Sequence, residues 1–365
     1  MSIARTGEPD REKIRLSVAI MTHPRRRERA EEIAASVRTD LVRVVTDPDP
    51  SGAPTAWRTA CRAWSSAPSA ATHHLVLQDD VELSRLFIER VQSAIELHPE
   101  HALSFFADWG SRTASAIRVG LLSGAAWAPV LDDYIPTQAL VLPAAVANGF
   151  EAYARASTTE ADPDDVVMLN YLRSSGISSA VSTHHLVDHD VIPSIVGNDE
   201  KGARRATNFA NEPSEGEVEG GDIQLDAAPF MSWSTRELSL LTRVSGETSW
   251  RREPLAVTIE AAIGLPFDQV DGAANAVLAR HGLPHPELGV TAKHAWSLSV
   301  IAAISGFLSQ GPVPTYRLAR DSMKTLAGGA LRKVVDIANL DSINEALLPS
   351  LADAALTGRA WKVDQ

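Results

Sequence analysis

Short apolar runs of strand length alternate with stretches of helical spacing up to about residue 195, and this alternation constrains the fold more than any other feature. Leu16–Met21, Leu41–Val45, Leu75–Leu77, Leu103–Ala107 and Gln138–Leu142 read as strands. Helical periods fall between them: an Arg-rich stretch to about Val37, a segment opened by Pro54, residues from about Leu83 to Leu97, and a stretch starting near Pro143. The segment after Pro54 carries Trp57, Ala60, Cys61 and Trp64 on one face. Near-continuous apolar strands are buried on both faces, which is the habit of parallel sheets covered by helices. The expectation is an α/β, doubly wound, mostly parallel sheet that binds its ligand at the carboxyl ends of the strands.

The second half has a different character. Residues 211–226 are acidic, contain Pro213, Gly216, Gly220 and Gly221, and lack Lys and Arg, so they read as a linker or mobile loop. Ala- and Leu-rich stretches follow (Leu255–Ile263, Ala273–His281, Ala292–Leu308, Leu318–Ile337, Ile343–Leu356), and they predict an all-α C-terminal domain over 227–365. A length of 365 residues suits two cores. The formal charge of -12 disfavours broad attraction to nucleic acid. Cys61 is the single cysteine, which excludes a disulfide framework and a cysteine-based zinc site. Residues 1–15 form a polar leader without the apolar centre of a signal peptide, and Trp296–Leu308 is too short and too interrupted to span a bilayer. A cytoplasmic protein with no membrane insertion is expected.

Chemistry-bearing residues cluster at the predicted strand ends. The run His73–Leu77 stops abruptly at Gln78, Asp79, Asp80 and, after Val81, Glu82. Adjacent acids there either cap the next helix or hold a divalent metal. His189 lies between Asp188 and Asp190 ahead of Pro193 and Ser194, and reads either as a surface histidine or as a ligand suited to Mn²⁺. Asp47 and Asp49 belong to a Pro-rich turn, where they serve the turn itself or accept bonds from ribose hydroxyls. Asp164 and Asp165 precede a helix, as caps or as a general base. Arg25, Arg26 and Arg27 lie on a solvated helix face or supply one contact to a diphosphate. The pairs His73–His74 and His184–His185 suggest zinc only if further ligands converge, and Trp109, Trp127 and Tyr134 suit a core or pocket wall.

Taken in order, these pieces resemble GT-A type nucleotide-sugar glycosyltransferases, in particular bacterial and phage-like members. The matching pieces are Thr22-His23-Pro24-Arg25-Arg26, Asp47-Pro48-Asp49-Pro50, Trp57-Arg58, Leu75–Val81, Pro136–Ala139, Asp164-Asp165, and Asp188-His189 with Pro193-Ser194. The resemblance covers residues 16–210 and leaves out the C-terminal half. It implies a GT-A-like nucleotide-sugar-binding domain and a metal-dependent, hexosyltransferase-like enzyme. Asp80 and His189 would be its metal ligands for Mn²⁺ or Mg²⁺. Thr22, His23, Arg26, Asp47, Gln78 and Asp79 would lie on the nucleotide-sugar donor, most readily a UDP-sugar. Asp165, with Asp164 beside it, would be the general base in an inverting reaction. The acceptor is open among small molecule, glycan, protein and modified nucleic acid. Gln78 departs from the pattern, since many relatives carry an acid there. That departure keeps alive an inactive glycosyltransferase-like scaffold, and clustered acids also suit a nucleotidyltransferase or phosphohydrolase.

Overall fold

The computed structural model describes residues 13–190, 192–195, 197–209, 221–235, 237–244, 249–254, 267–282, 290–298, 316–333 and 335–363. The polar leader up to residue 12, the acidic stretch 211–220 and the helix expected over Leu255–Ile263 lie outside these residues.

The apolar runs form a seven-stranded sheet in the order β2-β1-β3-β7-β5-β8-β6. Its strands are β1 (Leu16–Thr22), β2 (Val42–Thr46), β3 (His73–Gln78), β5 (Ala102–Ser104), β6 (Trp127–Ala128), β7 (Ala139–Pro143) and β8 (Ser179–Ser182). β1 pairs parallel with β2 and β3, and β5 pairs parallel with β8. β7 runs against β3 and β5, and β6 runs against β8, so the sheet is mostly parallel in sense with two reversed strands.

Both faces are covered, and alternate residues of each central strand serve different layers. In β1, Ala19 and Met21 face one core with α2 (Trp57–Trp64), α4 (Arg112–Ser123), α5 (Ala144–Ser157) and α6 (Asp164–Ser174). Leu16, Val18 and Ile20 face the other core, with α1 (Arg27–Ser36) and α3 (Phe87–Leu97). Emptying a site such as Ile20 or Leu75, both fully buried, costs about 2–5 kcal/mol as Ala. β2 lies on one side of β1 and β3 on the other, so the chain reverses its direction of travel across the sheet there. Such a switch point opens a crevice outside the strand ends.

Several expectations need correction. Pro54 does not open a helix, because α2 starts at Trp57. The helix expected from Leu83 starts at Phe87. Val81–Leu83 instead forms β4, which pairs antiparallel with β9 (Val187–His189) in a two-stranded sheet of its own. Residues 221–226 are no mobile loop. Asp222 bridges to Trp127, and Ile223 and Leu225 are buried in the core.

The all-α expectation for 227–365 also fails at its start. β10 (Ala227–Met231), β11 (Leu238–Arg243) and β12 (Trp250–Pro254) make an antiparallel three-stranded sheet. Helices follow: α7 (Phe267–Arg280), a segment at 290–298, α8 (Tyr316–Lys324), α9 (Leu326–Leu331) and α10 (Ile337–Val363). They do not stand apart, since Ala274, Trp296, Leu318 and Leu347 share a core with α4 and α5. Arg118 of α4 is fully buried and donates to Ser322 O at 2.9 Å and Trp109 O at 3.0 Å. A Cβ at Gly329 would stand 2.6 Å from Trp109 O, so α9 reaches the first half only through glycine. Among the described residues no helix is long and apolar enough to cross a membrane.

Candidate functional site

The carboxyl ends of β1, β2 and β3 open into a cleft of about 970 Å³. Thr22, His23, Arg26, Asp47, Gln78, Asp79, Asp80, Asp164 and Asp165 all line it. Register explains the gathering: Thr22 aligns with Thr46, and Met21 with Gln78, so the residues after these strands emerge side by side. Cations also collect here despite the acidic chain, among them Arg25, Arg112, Lys201, Arg204 and Arg252.

The floor is built around Asp79 and Asp80. Thr22 Oγ1 donates to Asp79 Oδ2 at 2.6 Å, and Arg26 Nη1 donates to Asp79 Oδ1 at 3.1 Å and Asp80 Oδ2 at 3.3 Å. Arg26 also donates to Pro193 O. Of the three arginines, Arg26 is therefore the one that turns inward onto the acids, while Arg27 pairs with Glu31 at the surface. Burial raises the Asp79 carboxyl; Thr22 and Arg26 oppose this and Asp80 adds to it.

His189 reaches Asp80 from the far side. The β4–β9 register sets Val81 opposite His189, and Asp190 N donates to Asp80 O at 2.8 Å. His189 Nε2 then stands 3.4 Å from Asp80 Oδ2. Its Nδ1 lies 2.7 Å from Asp190 O, a carbonyl that can only accept, so Nδ1 carries a proton. In the neutral ring Nε2 then turns a lone pair toward the carboxylate. Nε2 and Asp80 Oδ1 are both buried and make no hydrogen bond. A bare lone pair facing a carboxylate is unfavourable, and a cation between them removes the conflict. These two side chains thus fit a divalent metal, and other oxygen ligands would have to come from water or substrate.

The Asp47 loop is held from behind by Arg58, a residue the resemblance includes without assigning it a role. Arg58 on α2 donates to Asp47 Oδ1 and Oδ2, each at 3.2 Å, to Asp49 O at 2.8 Å, and to Glu160 Oε2 at 2.7 Å. Asp49 N also donates to Asp47 Oδ1 at 3.0 Å. Burial pushes the Asp47 carboxyl up, but Arg58 and the Asp49 N–H outweigh it and hold it below the ordinary value. Much of Asp47's accepting capacity is therefore spent on the turn. His23 is similarly engaged: Nδ1 accepts from Arg25 N at 3.2 Å, and Nε2 lies 3.4 Å from Pro50 O.

Across the cleft, Asp164 and Asp165 open α6. Burial pushes Asp164 up to about 7, with Asp165 adding to the rise, and Asp164 Oδ2 is buried with no hydrogen-bond partner. Asp165 is also raised by burial, although its Oδ1 accepts from Val166 N at 2.8 Å. Gln78 connects the two walls. Its Nε2 donates to Thr137 Oγ1 at 3.1 Å, and the Thr137 hydroxyl in turn donates to Asp164. An amide at position 78 can begin this chain of donors, whereas an ionised acid cannot.

The far rim belongs to the second half of the chain, where no local motif marked it. Arg332 pairs with Asp108, and its guanidinium lies 4.6 Å from the Trp233 ring centre, with Lys333 Nζ at 4.5 Å from the same ring. Trp233 lines the cleft. Among the histidine pairs, His74 binds Ser17 and Ala63 O in the core, while His185 is buried against Phe106, so neither reaches the cleft. No protein-family model matches the sequence, and no curated protein matches it.

Proposed function

We propose that this chain is a metal-dependent glycosyltransferase that moves a sugar from a nucleoside-diphosphate donor, most readily a UDP-sugar, to an acceptor bound against its second half. One observation carries the reading: Asp80 and His189, from distant segments, converge beneath a cation-lined cleft with His189 Nε2 3.4 Å from Asp80 Oδ2, and Nε2 and the other carboxylate oxygen, Oδ1, are buried without hydrogen bonds. Asp80 and His189 would hold Mn²⁺ or Mg²⁺, which when bound supplies Lewis-acid stabilisation of charge on the departing diphosphate. The remaining work falls to the chain. Asp79, anchored by Thr22, keeps Arg26 at the floor, where its guanidinium is placed to meet phosphate oxygens. Arg58 fixes the Asp47 loop as the wall for the nucleoside.

For an inverting reaction, Asp164 is better placed as base than Asp165, because it keeps a free oxygen and a raised proton affinity. The acceptor oxygen forms its bond to the anomeric carbon as the bond to the diphosphate breaks. Its proton passes to Asp164, and the bonding pair leaves with the diphosphate. Trp233, with Arg332 and Lys333 against its ring, lines the cleft where the sugar or acceptor would lie.

The Arg26 bridge favours a second reading. A guanidinium already bridges Asp79 and Asp80 and offsets part of their charge, as an inactive scaffold without metal would require. Calorimetry of Mn²⁺ with and without UDP, followed by turnover of a nucleotide-sugar panel, separates the two. Mn²⁺ binding tightened by UDP, with sugar transferred, is the expected result. Failure to bind any donor, with or without metal, sinks the enzyme reading.

A further inference from the structure

Outside the cleft, beside the edge strand β6, His98, His101 and Asp222 each offer one ligand atom, all within 4.8 Å of one another. His98 caps the C-terminus of α3, and His101 immediately precedes β5, whose amino end faces away from the cleft. The backbone fixes the two imidazoles, with His101 N donating to His98 O at 3.2 Å and Pro99 O accepting from His73 Nε2 at 2.8 Å. Asp222 arrives from a remote segment. Ala126 N donates to Gly221 O at 3.3 Å and Ile223 N to Trp127 O at 3.0 Å, which clips Asp222 against the edge strand β6.

We infer that His98, His101 and Asp222 form a zinc site that staples the returning 221–223 segment to the α3–β5 turn. The geometry is close to what an ion requires. His98 Nε2 and Asp222 Oδ1 stand 3.9 Å apart, and small side-chain rotations bring such atoms to the roughly 3.4 Å spacing of ligands on a tetrahedral Zn²⁺. The imidazole centres are 5.2 Å apart and steeply inclined, where two rings on one zinc ion stand about 5 Å apart.

A second observation points the same way. His101 Nδ1 is buried and has no hydrogen-bond partner, which leaves a ring nitrogen without its usual satisfaction. The carbonyl end of α3 favours a bound cation beside His98. Two imidazoles and one carboxylate suit zinc better than Mn²⁺ or Mg²⁺, which prefer oxygen. The chemistry therefore differs from that of Asp80 and His189, and the staple stands whatever the cleft does.

The test uses the full chain, stripped of metal with a chelator and titrated with Zn²⁺ alone, with Co²⁺ as a visible reporter. The wild type should bind one zinc ion at this site and melt at a higher temperature with it. Asp222→Asn and His98→Gln should each weaken that binding about tenfold or more and remove the thermal shift. His189→Gln should leave it in place. Because the Asp222 side chain is 42% exposed, its amide variant keeps the fold testable even if a histidine variant does not. Zinc affinity unchanged in Asp222→Asn and His98→Gln, or abolished by His189→Gln alone, overturns the inference.

Discussion

Asp79–Asp80 and Asp164–Asp165 are the same dipeptide on opposite walls of one cleft, met by different partners. The first pair is met by Arg26 and His189 and anchored by Thr22. The second pair receives hydrogen bonds from Thr137 and the Val166 N–H in place of a guanidinium, and burial raises both of its carboxyls as it raises Asp79, Asp164 to about 7. On the proposed reading, identical motifs would serve as a cation seat and a proton acceptor according to what faces them. The difference lies in partners contributed from elsewhere in the chain.

The sharpest break is at the seat. Asp80→Asn is expected to lower donor turnover about 10³-fold, with loss of Mn²⁺ binding by calorimetry, whereas His189→Gln should cost about 10–100-fold. Equal, small effects of both would remove the metal from the mechanism.

Asp164→Asn comes next, with kcat falling about 10²–10³-fold and Asp165→Asn costing less. The pH dependence carries the sign. The Asp164 pKa of about 7 in the folded protein lies above the ordinary 3.8, so the folded state holds the proton that the unfolded chain has lost. Stability therefore falls as pH rises between those values, while the basic form needed for turnover grows through about pH 7. Asp164→Asn should flatten this slope and raise Tm at pH 8 by about 3 °C. A variant that loses both activity and stability at pH 8 would mark Asp164 as structural.

Arg26→Gln sharpens the comparison by making the first pair resemble the second. With its guanidinium gone, Mn²⁺ affinity without nucleotide should rise about tenfold, while UDP affinity falls by a similar factor. A fall in both would show that arginine, not metal, is the working cation. The smallest effect is expected of Gln78→Glu. An ionised acid cannot donate to Thr137, and its charge raises Asp164 further, so the acidic limb of the rate profile should move up by about one pH unit or less.

What could be read in the sequence follows from how local each signal is. The central strands announced themselves because a strand buried on both faces must be apolar throughout, as Leu75–Leu77 are. Asp79 and Asp80 were visible as an abrupt change from apolar to acidic. β4 and β9 were not, since Val-Glu-Leu and Val-Asp-His are too short to show a period. β10 to β12 were hidden for a related reason. Leu238–Arg243 mixes Leu with Ser and Thr in no strict alternation, and Trp250–Pro254 is largely polar, so the Leu- and Ala-rich helices nearby dominated the pattern. Arg58 belongs to the Trp57-Arg58 piece of the resemblance, but only its convergence on Asp47, Asp49 and Glu160 gives it a role. Trp233 and the Asp108–Arg332 pair join segments too far apart for spacing to reveal.

The β4–β9 clasp also dictates when the cleft can come into being. Its two strands close a loop of about a hundred residues, so loop-closure entropy must be met before Asp80 and His189 can face each other. β1 and β3 can pair without any residue beyond 78, but Asp80 lacks its imidazole neighbour until the chain beyond residue 189 has emerged. Contacts of such long range form slowly, and the pairing at the clasp is only three residues long. A nascent chain therefore carries the acidic floor well before it carries the imidazole that completes it. Asp80 and His189 come together only at the end of the first half's synthesis.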